Sequence, residues 1–345
     1  MSEHSIDISE PSDSKREPSD LISEPLLRVR ALGAAFGPVT VLEDVSFDLH
    51  AGETLGLVGE SGSGKSTLAR VILRLIPAAG GEVSWRGQNL LSCGAAQMRA
   101  HRRELQMIFQ DPLASLDPRM TVGEILAEPL KIFEAGLSAG ARRLRIDAML
   151  TRVGLSTGMA GRYPHEFSGG QCQRIGIARA MMLNPKLLIC DEPVSSLDVS
   201  IQGQIVNLLI DLQREFGMAM LFISHNLAVV RHLSHRVLVM YQGRLVEIAP
   251  RDALFAAPLH PYTRALLAAV PSLIPARRTE KAPSAEQAPP TSIETPSSLA
   301  AAAGCAFRER CPHAIPLCAT TTPPLEQITG QHWAACHLSG SLSDS

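Results

Sequence analysis

Nine consecutive residues, Gly59-Glu60-Ser61-Gly62-Ser63-Gly64-Lys65-Ser66-Thr67, constrain this chain more than any other stretch. They satisfy the pattern G-x-x-x-x-G-K-[ST] in full. An apolar run, Leu55-Gly56-Leu57-Val58, precedes them and reads as a buried strand. Ser66 to Leu73 follows and reads as a helix whose N-terminus opens at the loop. Strand, glycine-rich loop and helix together form a cradle for polyphosphate. Glycines let the backbone approach closely, and main-chain N–H groups and the helix dipole face the anion. Gly59, Ser61, Gly62, Gly64 and Thr67 line such a cradle, Lys65 reaches the β- and γ-phosphates, and the Ser66 hydroxyl holds Mg²⁺.

The 345 residues suffice for one large domain or two smaller ones, and 45% hydrophobic content is enough for a sizeable core. Aromatic residues make up only 4%, so that core must be built of Leu, Val, Ile and Ala. A net charge of -2 gives no electrostatic footprint for nucleic acid. No apolar stretch approaches the ~20 residues that span a bilayer, and no basic-then-apolar leader opens the chain. The expected location is therefore the cytoplasm. Cys93, Cys172 and Cys190 are scattered, whereas Cys305, Cys311, Cys318 and Cys336 cluster. In a reducing compartment such a cluster points to a metal site rather than disulfides.

Residues 1–25 are polar and acidic and read as a disordered tail. Two alternating runs, Leu26 to Ala31 and Val41 to Leu49, flank a Gly37-Pro38 turn and predict a small antiparallel sheet. Phe36 at that turn could stack on adenine or simply cover the sheet edge. A short strand between glycine turns covers Gly80 to Gly87, and another, Leu105 to Phe109, ends at Gln110. A glutamine there can place its amide near Mg²⁺ and the attacking water, although alone it is an ordinary loop residue. From 111 to 168 the pattern turns helical, with amphipathic runs at Val122–Leu130 and Ala141–Leu150 and no strand between them. This stretch reads as a helical insertion in an α/β domain. Ser168-Gly169-Gly170-Gln171 then opens a helix and offers a second anion site. An apolar run, Leu187 to Cys190, ends in Asp191-Glu192, which sets one carboxylate beside Mg²⁺ and the next within reach of water. A polar loop, Ser195 to Asp198, follows. The strand Met220 to Ser224 carries His225 at its end, where open α/β sheets hold ligand sites. A hairpin at 237–248 and a short helix from Pro261 close the fold, a Pro- and Ala-rich linker covers 273–300, and the cysteines lie in a segment at 301–338.

Taken in order, these motifs resemble the ATP-binding subunit of an ABC transporter across residues 26–272. The resemblance implies a P-loop NTPase core with an antiparallel β subdomain and a helical insertion. It makes Phe36 the adenine-stacking aromatic, Gly59 to Thr67 the Walker A loop and Gln110 the Q-loop glutamine, close to Mg²⁺. It makes Ser168-Gly169-Gly170-Gln171 the signature, Leu187 to Asp191 Walker B, Glu192 the catalytic base, Asp198 part of the D-loop and His225 the switch histidine. Gln110-Asp111-Pro112-Leu113-Ala114-Ser115-Leu116-Asp117-Pro118-Arg119, His260-Pro261-Tyr262-Thr263 and the segment from Gly304-Cys305 to Cys336-His337 resemble the oligopeptide/dipeptide importer subgroup, which also includes nickel importers. Gly64 to Arg70 is similar to the F-type member of that subgroup's paired ATPases. Cys172 departs from the family, which usually has Arg or another polar residue there, and reads as an inert thiol.

The resemblance implies ATP hydrolysis coupled to solute translocation. Walker A of one subunit and the signature of a second, paralogous ATPase would sandwich each ATP. The helical insertion would grip two permease subunits at the inner face of the membrane, and an extracytoplasmic solute-binding protein would deliver the cargo. The four cysteines, separated by five, six and seventeen residues, suit either Zn²⁺ or an Fe–S cluster, and the resemblance favours [4Fe-4S]. A soluble ABC ATPase of nucleic-acid repair or translation is the rival class. Those carry tandem cassettes, long coiled-coil arms or basic tails, which this sequence lacks. The signature excludes a simple P-loop kinase.

Overall fold

The computed structural model describes residues 24–269 and 303–340, so most of the 1–25 tail and the 273–300 linker lie outside the described residues. The chain begins with β1 (Leu27–Phe36), β2 (Val39–Leu49), β3 (Thr54–Val58) and α1 (Lys65–Ile72). Next come β4 (Gly80–Trp85), β5 (Gln88–Asn89), α2 (Ala95–His101) and β6 (Leu105–Ile108). Helices α3 (Val122–Phe133), α4 (Ala139–Arg152) and α5 (Gly169–Met181) precede β7 (Leu187–Asp191). Then α6 (Val199–Phe216), β8 (Ala219–Ile223), α7 (Leu227–Leu233), β9 (Arg236–Tyr241) and β10 (Arg244–Pro250) alternate. The last elements are α8 (Arg251–Ala256), α9 (Pro261–Ala268), α10 (Leu317–Thr320), β11 (Glu326–Thr329) and β12 (His332–Ala334).

Two sheets organise these elements. Strands β2-β1-β4-β5 form an antiparallel sheet, and the main sheet runs β11-β12-β10-β9-β3-β8-β7-β6. Strands β6, β7, β8, β3 and β9 are mutually parallel where they pair, with β3 between β8 and β9. The central residues of these parallel strands are mostly apolar because both faces are covered, with polar residues such as Gln106 on edge strand β6 and Asp191 and Arg236 at strand ends. Successive side chains point to opposite faces. Leu55, Leu57, Leu187, Ile189, Leu221 and Leu238 therefore pack with the antiparallel sheet and α1. Leu188, Cys190, Met220, Phe222, Val237 and Val239 pack with the helices of the other face. Gly56 marks where a helix comes closest: a Cβ there would lie 2.6 Å from Val230 Cγ1 and 2.5 Å from Ser234 Oγ.

The antiparallel strands are longer than their alternation suggests. The register of β1 on β2 shifts after Val29, after Leu32 and after Ala34, and Ala31 has φ +45°, so bulges break the period of two that marks a strand in sequence. The helical insertion is present. Thr121 caps α3 reciprocally, its Oγ1 accepting from Glu124 N at 3.3 Å and Glu124 Oε2 accepting from Thr121 N at 2.8 Å. The helix continues to Phe133 through Pro129 rather than stopping near it.

The sequence reading ended the fold with α9, but the main sheet is completed beyond it. Strand β12 pairs antiparallel with β10, Glu247 opposite Ala334 and Ile248 opposite Trp333, and β11 forms the new edge. A buried hydrogen bond fixes this docking. His332 Nε2 lies 2.7 Å from Glu247 Oε1, and the fully buried Glu247 carboxylate also accepts from Leu259 N at 2.7 Å and His260 N at 2.9 Å. Among the described residues no helix is long and apolar enough to cross a membrane.

Candidate active site

The loop from Gly59 to Thr67 joins the end of β3 to α1. Gly64 caps the helix with φ +101°, and a Cβ there would sit 2.9 Å from Leu42 Cδ2 and 3.0 Å from Val41 O, so the turn admits no side chain. Ser61 and Gly62 lie at the exposed outer bend, with Gly62 at φ +78°, while Ser66 and Thr67 occupy the first helical turn. Lys65 folds back over the loop. Its Nζ donates to Gly59 O at 2.9 Å, to Glu60 O at 2.7 Å and to Ser63 Oγ at 3.3 Å. Burial lowers the pKa of its ammonium, opposed by Glu192, Asp191 and Glu60 in that order. The loop thus stores a desolvated cation among carbonyls and carboxylates, ready for exchange onto an anionic ligand.

At the end of β7, Asp191 is 1% exposed. Its Oδ1 accepts from Ser66 Oγ at 2.7 Å, and its Oδ2 is buried without a hydrogen-bond partner. Burial raises the pKa of this carboxyl, partly offset by the Ser66 hydrogen bond and Arg70. An orphaned buried carboxylate oxygen beside a hydroxyl is a donor set for a hard divalent cation. The residues therefore fit Mg²⁺ at Asp191 and Ser66.

Glu192 takes a left-handed conformation with φ +48°, and its N–H donates to Ile223 O at 3.0 Å. Its Oε2 accepts from Gln110 Nε2 at 3.2 Å and lies 3.3 Å from His225 Nδ1. The three residues follow β6, β7 and β8, which are neighbours in the sheet, so the topology assembles them from positions far apart in sequence. Gln110 was expected beside Mg²⁺. In this arrangement its amide is turned to Glu192 instead.

Ser168 caps α5, its Oγ accepting from Gln171 N at 3.4 Å and Gln171 Oε1 accepting from Ser168 N at 3.0 Å. Gly169 and Gly170 lie against Leu197 and Ile201. Among the described residues, 168–171 make no hydrogen bond to the phosphate loop. Asp198 caps α6 by backbone only and is exposed beside Val199, which is 85% exposed. Phe36 ends β1 and is 53% exposed. Cys172 is buried with Sγ 3.5 Å from Pro164 O, and desolvation raises its pKa, which suits an inert thiol.

Cys305, Cys311, Cys318 and Cys336 line one small cavity with Phe307, Pro323 and neighbouring histidines. Burial raises the thiols of Cys305 and Cys336, and nearby cysteine sulfurs push them further. Yet among the described residues no group of three or more His, Cys, Asp or Glu is placed to hold a metal ion. As they stand, the thiols therefore support neither the expected Fe–S cluster nor Zn²⁺.

A groove of about 700 Å³ opens between β6, α3 and α5, bordered by Arg102, Phe109, Glu128, Ile132, Gln173 and Arg179. Sequence reasoning named Tyr262 only as part of a subgroup motif and gave it no place at the phosphate loop, yet its Oη accepts from Glu60 N at 2.8 Å across 202 residues. No local pattern signals such a contact.

A phosphate cradle, a buried carboxylate next to it and a glutamate–glutamine–histidine set at adjacent strand ends define a P-loop nucleotide-hydrolysing domain. The profile of the ABC transporter family matches residues 42–195, and that of the oligopeptide/dipeptide transporter C-terminal region matches 246–318. The oligopeptide transport ATP-binding protein OppF of Haemophilus influenzae is 50% identical over 326 residues, 91% of this chain and 97% of that one. OppF of Salmonella typhimurium is 56% identical over 286 residues, 83% of this chain and 84% of that one. Among solved structures, cbiO1 from Clostridium perfringens, part of the transporter complex cbiONQ, superposes with TM-score 0.61 at 25% identity, covering 67% of this chain and 91% of that one. The ATP-binding cassette MJ0796, in a dimeric post-hydrolysis state bound to ADP and Pi, gives 0.60 at 27% identity, covering 65% and 98%. The chain belongs to the ABC transporter family, among its oligopeptide transport ATP-binding proteins, and is an ATPase.

Proposed function

We propose that this chain is the ATP-hydrolysing subunit that energises peptide import through a membrane ABC transporter. The observation that carries the hydrolysis is the meeting of Gln110, Glu192 and His225 beside the Ser66–Asp191 pair, and the peptide cargo rests on the likeness to the OppF proteins. Its chemistry is positioning and charge neutralisation. Gly59, Ser61, Gly62, Gly64 and Thr67 line the polyphosphate, and Lys65 transfers its ammonium from loop carbonyls to phosphate oxygens. Phe36 stacks on adenine. Ser66 and Asp191 would hold Mg²⁺, which would supply charge neutralisation at the bound polyphosphate. Glu192 orients and polarises the attacking water, Gln110 fixes the carboxylate, and His225 steadies the γ-phosphate.

Ser168, Gly169, Gly170 and Gln171 serve a second ATPase subunit, with Asp198 at the same contact. Two features support this. The signature makes no bond to its own phosphate loop, and Val199 leaves an apolar side chain exposed next to Asp198. The F-type character of Gly64 to Arg70 favours a paralogue as that partner. The groove beside α3 is the site we assign to a helix of a membrane permease, and on this reading the chain works peripherally at the inner face of the membrane. Two permeases and an extracytoplasmic binding protein complete the assembly.

The four cysteines carry a [4Fe-4S] cluster on this reading. What supports it is that all four thiols line one cavity, a shared set of four sulfur donors. Iron and acid-labile sulfide measured on anaerobically purified protein should each be near four per chain, ~4 by cluster stoichiometry. Zinc in place of iron would overturn the assignment.

Uptake of labelled di- and tripeptides, longer peptides and Ni²⁺ in a strain deleted for this chain tests the function. Loss of peptide uptake, restored by the wild-type chain and not by Glu192→Gln, is the expected result. Loss of Ni²⁺ uptake alone would transfer the same mechanism to another cargo.

A further inference from the structure

The phosphate loop is gripped from outside by the cysteine-bearing segment, and the grip falls on one residue, Glu60. Its N–H donates to Tyr262 Oη at 2.8 Å. Its carbonyl accepts from Lys65 Nζ at 2.7 Å and from Ser63 N at 3.2 Å. Its carboxylate takes two hydrogen bonds from Arg310, Nη1 to Oε2 at 2.9 Å and Nη2 to Oε1 at 2.8 Å. Every polar group of Glu60 is thus engaged, and one of its partners, Arg310, comes from the cysteine-bearing segment beyond the nucleotide-binding core.

Arg310 is itself held. It lies between Phe307 and Cys311 on the loop 305–311, with its guanidinium 5.6 Å from the Phe307 ring centroid and 5.9 Å from that of Tyr241. Phe307 is 3% exposed and meets Tyr241 edge-on at 5.4 Å and Tyr262 at 5.5 Å. Tyr262 N donates to His260 Nδ1 at 3.0 Å, and the backbone N–H of His260 donates to Glu247, the same carboxylate that meets His332. An exposed ion pair alone contributes little. A forked guanidinium already confined over aromatic rings loses less freedom on pairing, and its two parallel hydrogen bonds fix direction as well as distance.

We propose that Arg310 and Tyr262 are positioning residues for nucleotide binding: by clamping Glu60 they set the geometry of the carbonyls that hold Lys65, so the loop 305–311 tunes the ATP affinity of the phosphate loop. Lys65 must leave Gly59 O and Glu60 O to reach phosphate. With Glu60 fixed, the loop keeps its shape as the ammonium departs. Without the clamp the loop must be ordered by the ligand, and that ordering is subtracted from the binding energy. The inference rests on the loop binding ATP and is independent of what the cysteines hold.

The test is Mg-ATP binding to the full chain by calorimetry, comparing wild type, Arg310→Ala, Arg310→Lys, Glu60→Ala and the double variant, with melting temperatures alongside. Arg310→Ala should raise Kd by about fivefold with the melting temperature unchanged. Arg310→Lys should recover only part of the loss, since an ammonium keeps the charge but not the fork. In the Glu60→Ala background, Arg310→Ala should add nothing. An unchanged Kd in Arg310→Ala, or an equal loss in both backgrounds, would overturn the proposal. A wild-type chain that does not bind Mg-ATP would instead remove the ATPase reading, and the inference with it.

Discussion

Glu192→Gln is expected to retain ATP and to hydrolyse it ~10²–10⁴-fold more slowly than wild type, the range spanned by loss of a positioned general base. The substitution preserves the local geometry. A carboxamide oxygen still accepts from Gln110 Nε2, and the strained φ of +48° is unaffected because the backbone N–H keeps its bond to Ile223 O. What disappears is the negative charge facing the attacking water. Binding and single-turnover hydrolysis measured on the same preparation separate the two effects. Hydrolysis at the wild-type rate would remove Glu192 from the role of base.

Lys65→Ala should have the opposite signature, a failure to bind. Its ammonium is the main charge the loop offers to phosphate, and a desolvated, charge-assisted contact to two phosphate groups is expected to contribute about 100-fold or more in affinity. The substitution also strips the carbonyls of Gly59 and Glu60 of their donor. Lys65→Arg should not rescue, because the space filled by the 5% exposed side chain is closed by Gly59, Glu60 and Ser63, and a planar fork cannot replace a compact ammonium there. Calorimetric titration with Mg-ATP reads the loss directly. Retained wild-type affinity would mean that backbone N–H groups alone hold the nucleotide.

The parts of this site written in contiguous sequence were legible before any coordinates. A glycine loop between an apolar strand and a helix allows few structures, and an apolar run ending in Asp191-Glu192 allows few others. The carboxylate set was legible only as separate suspicions. Gln110, Glu192 and His225 lie on different segments, and what makes them neighbours is the order β8-β7-β6, which periodicity does not encode. The C-terminal hairpin was missed for a different reason. Strands β11 and β12 have four and three residues, too short for alternation to show. The helices α2, α7 and α8, of seven, seven and six residues, fall below the window in which helical periodicity is distinct. The Arg310–Glu60 pair spans 250 positions, and each residue alone reads as solvated surface.

The closing of β10 by β12 also bears on how the protein is made. As the ribosome extends the chain, β10 emerges and pairs with β9, then waits with its outer edge bare while residues 251–331 are synthesised. An unpaired strand edge is a template for other chains, and Glu247, destined for full burial, has no histidine to meet until His332 arrives. Nascent or C-terminally clipped chains should therefore be the aggregating species in an expression culture, caught with an open sheet rather than a misfolded nucleotide site.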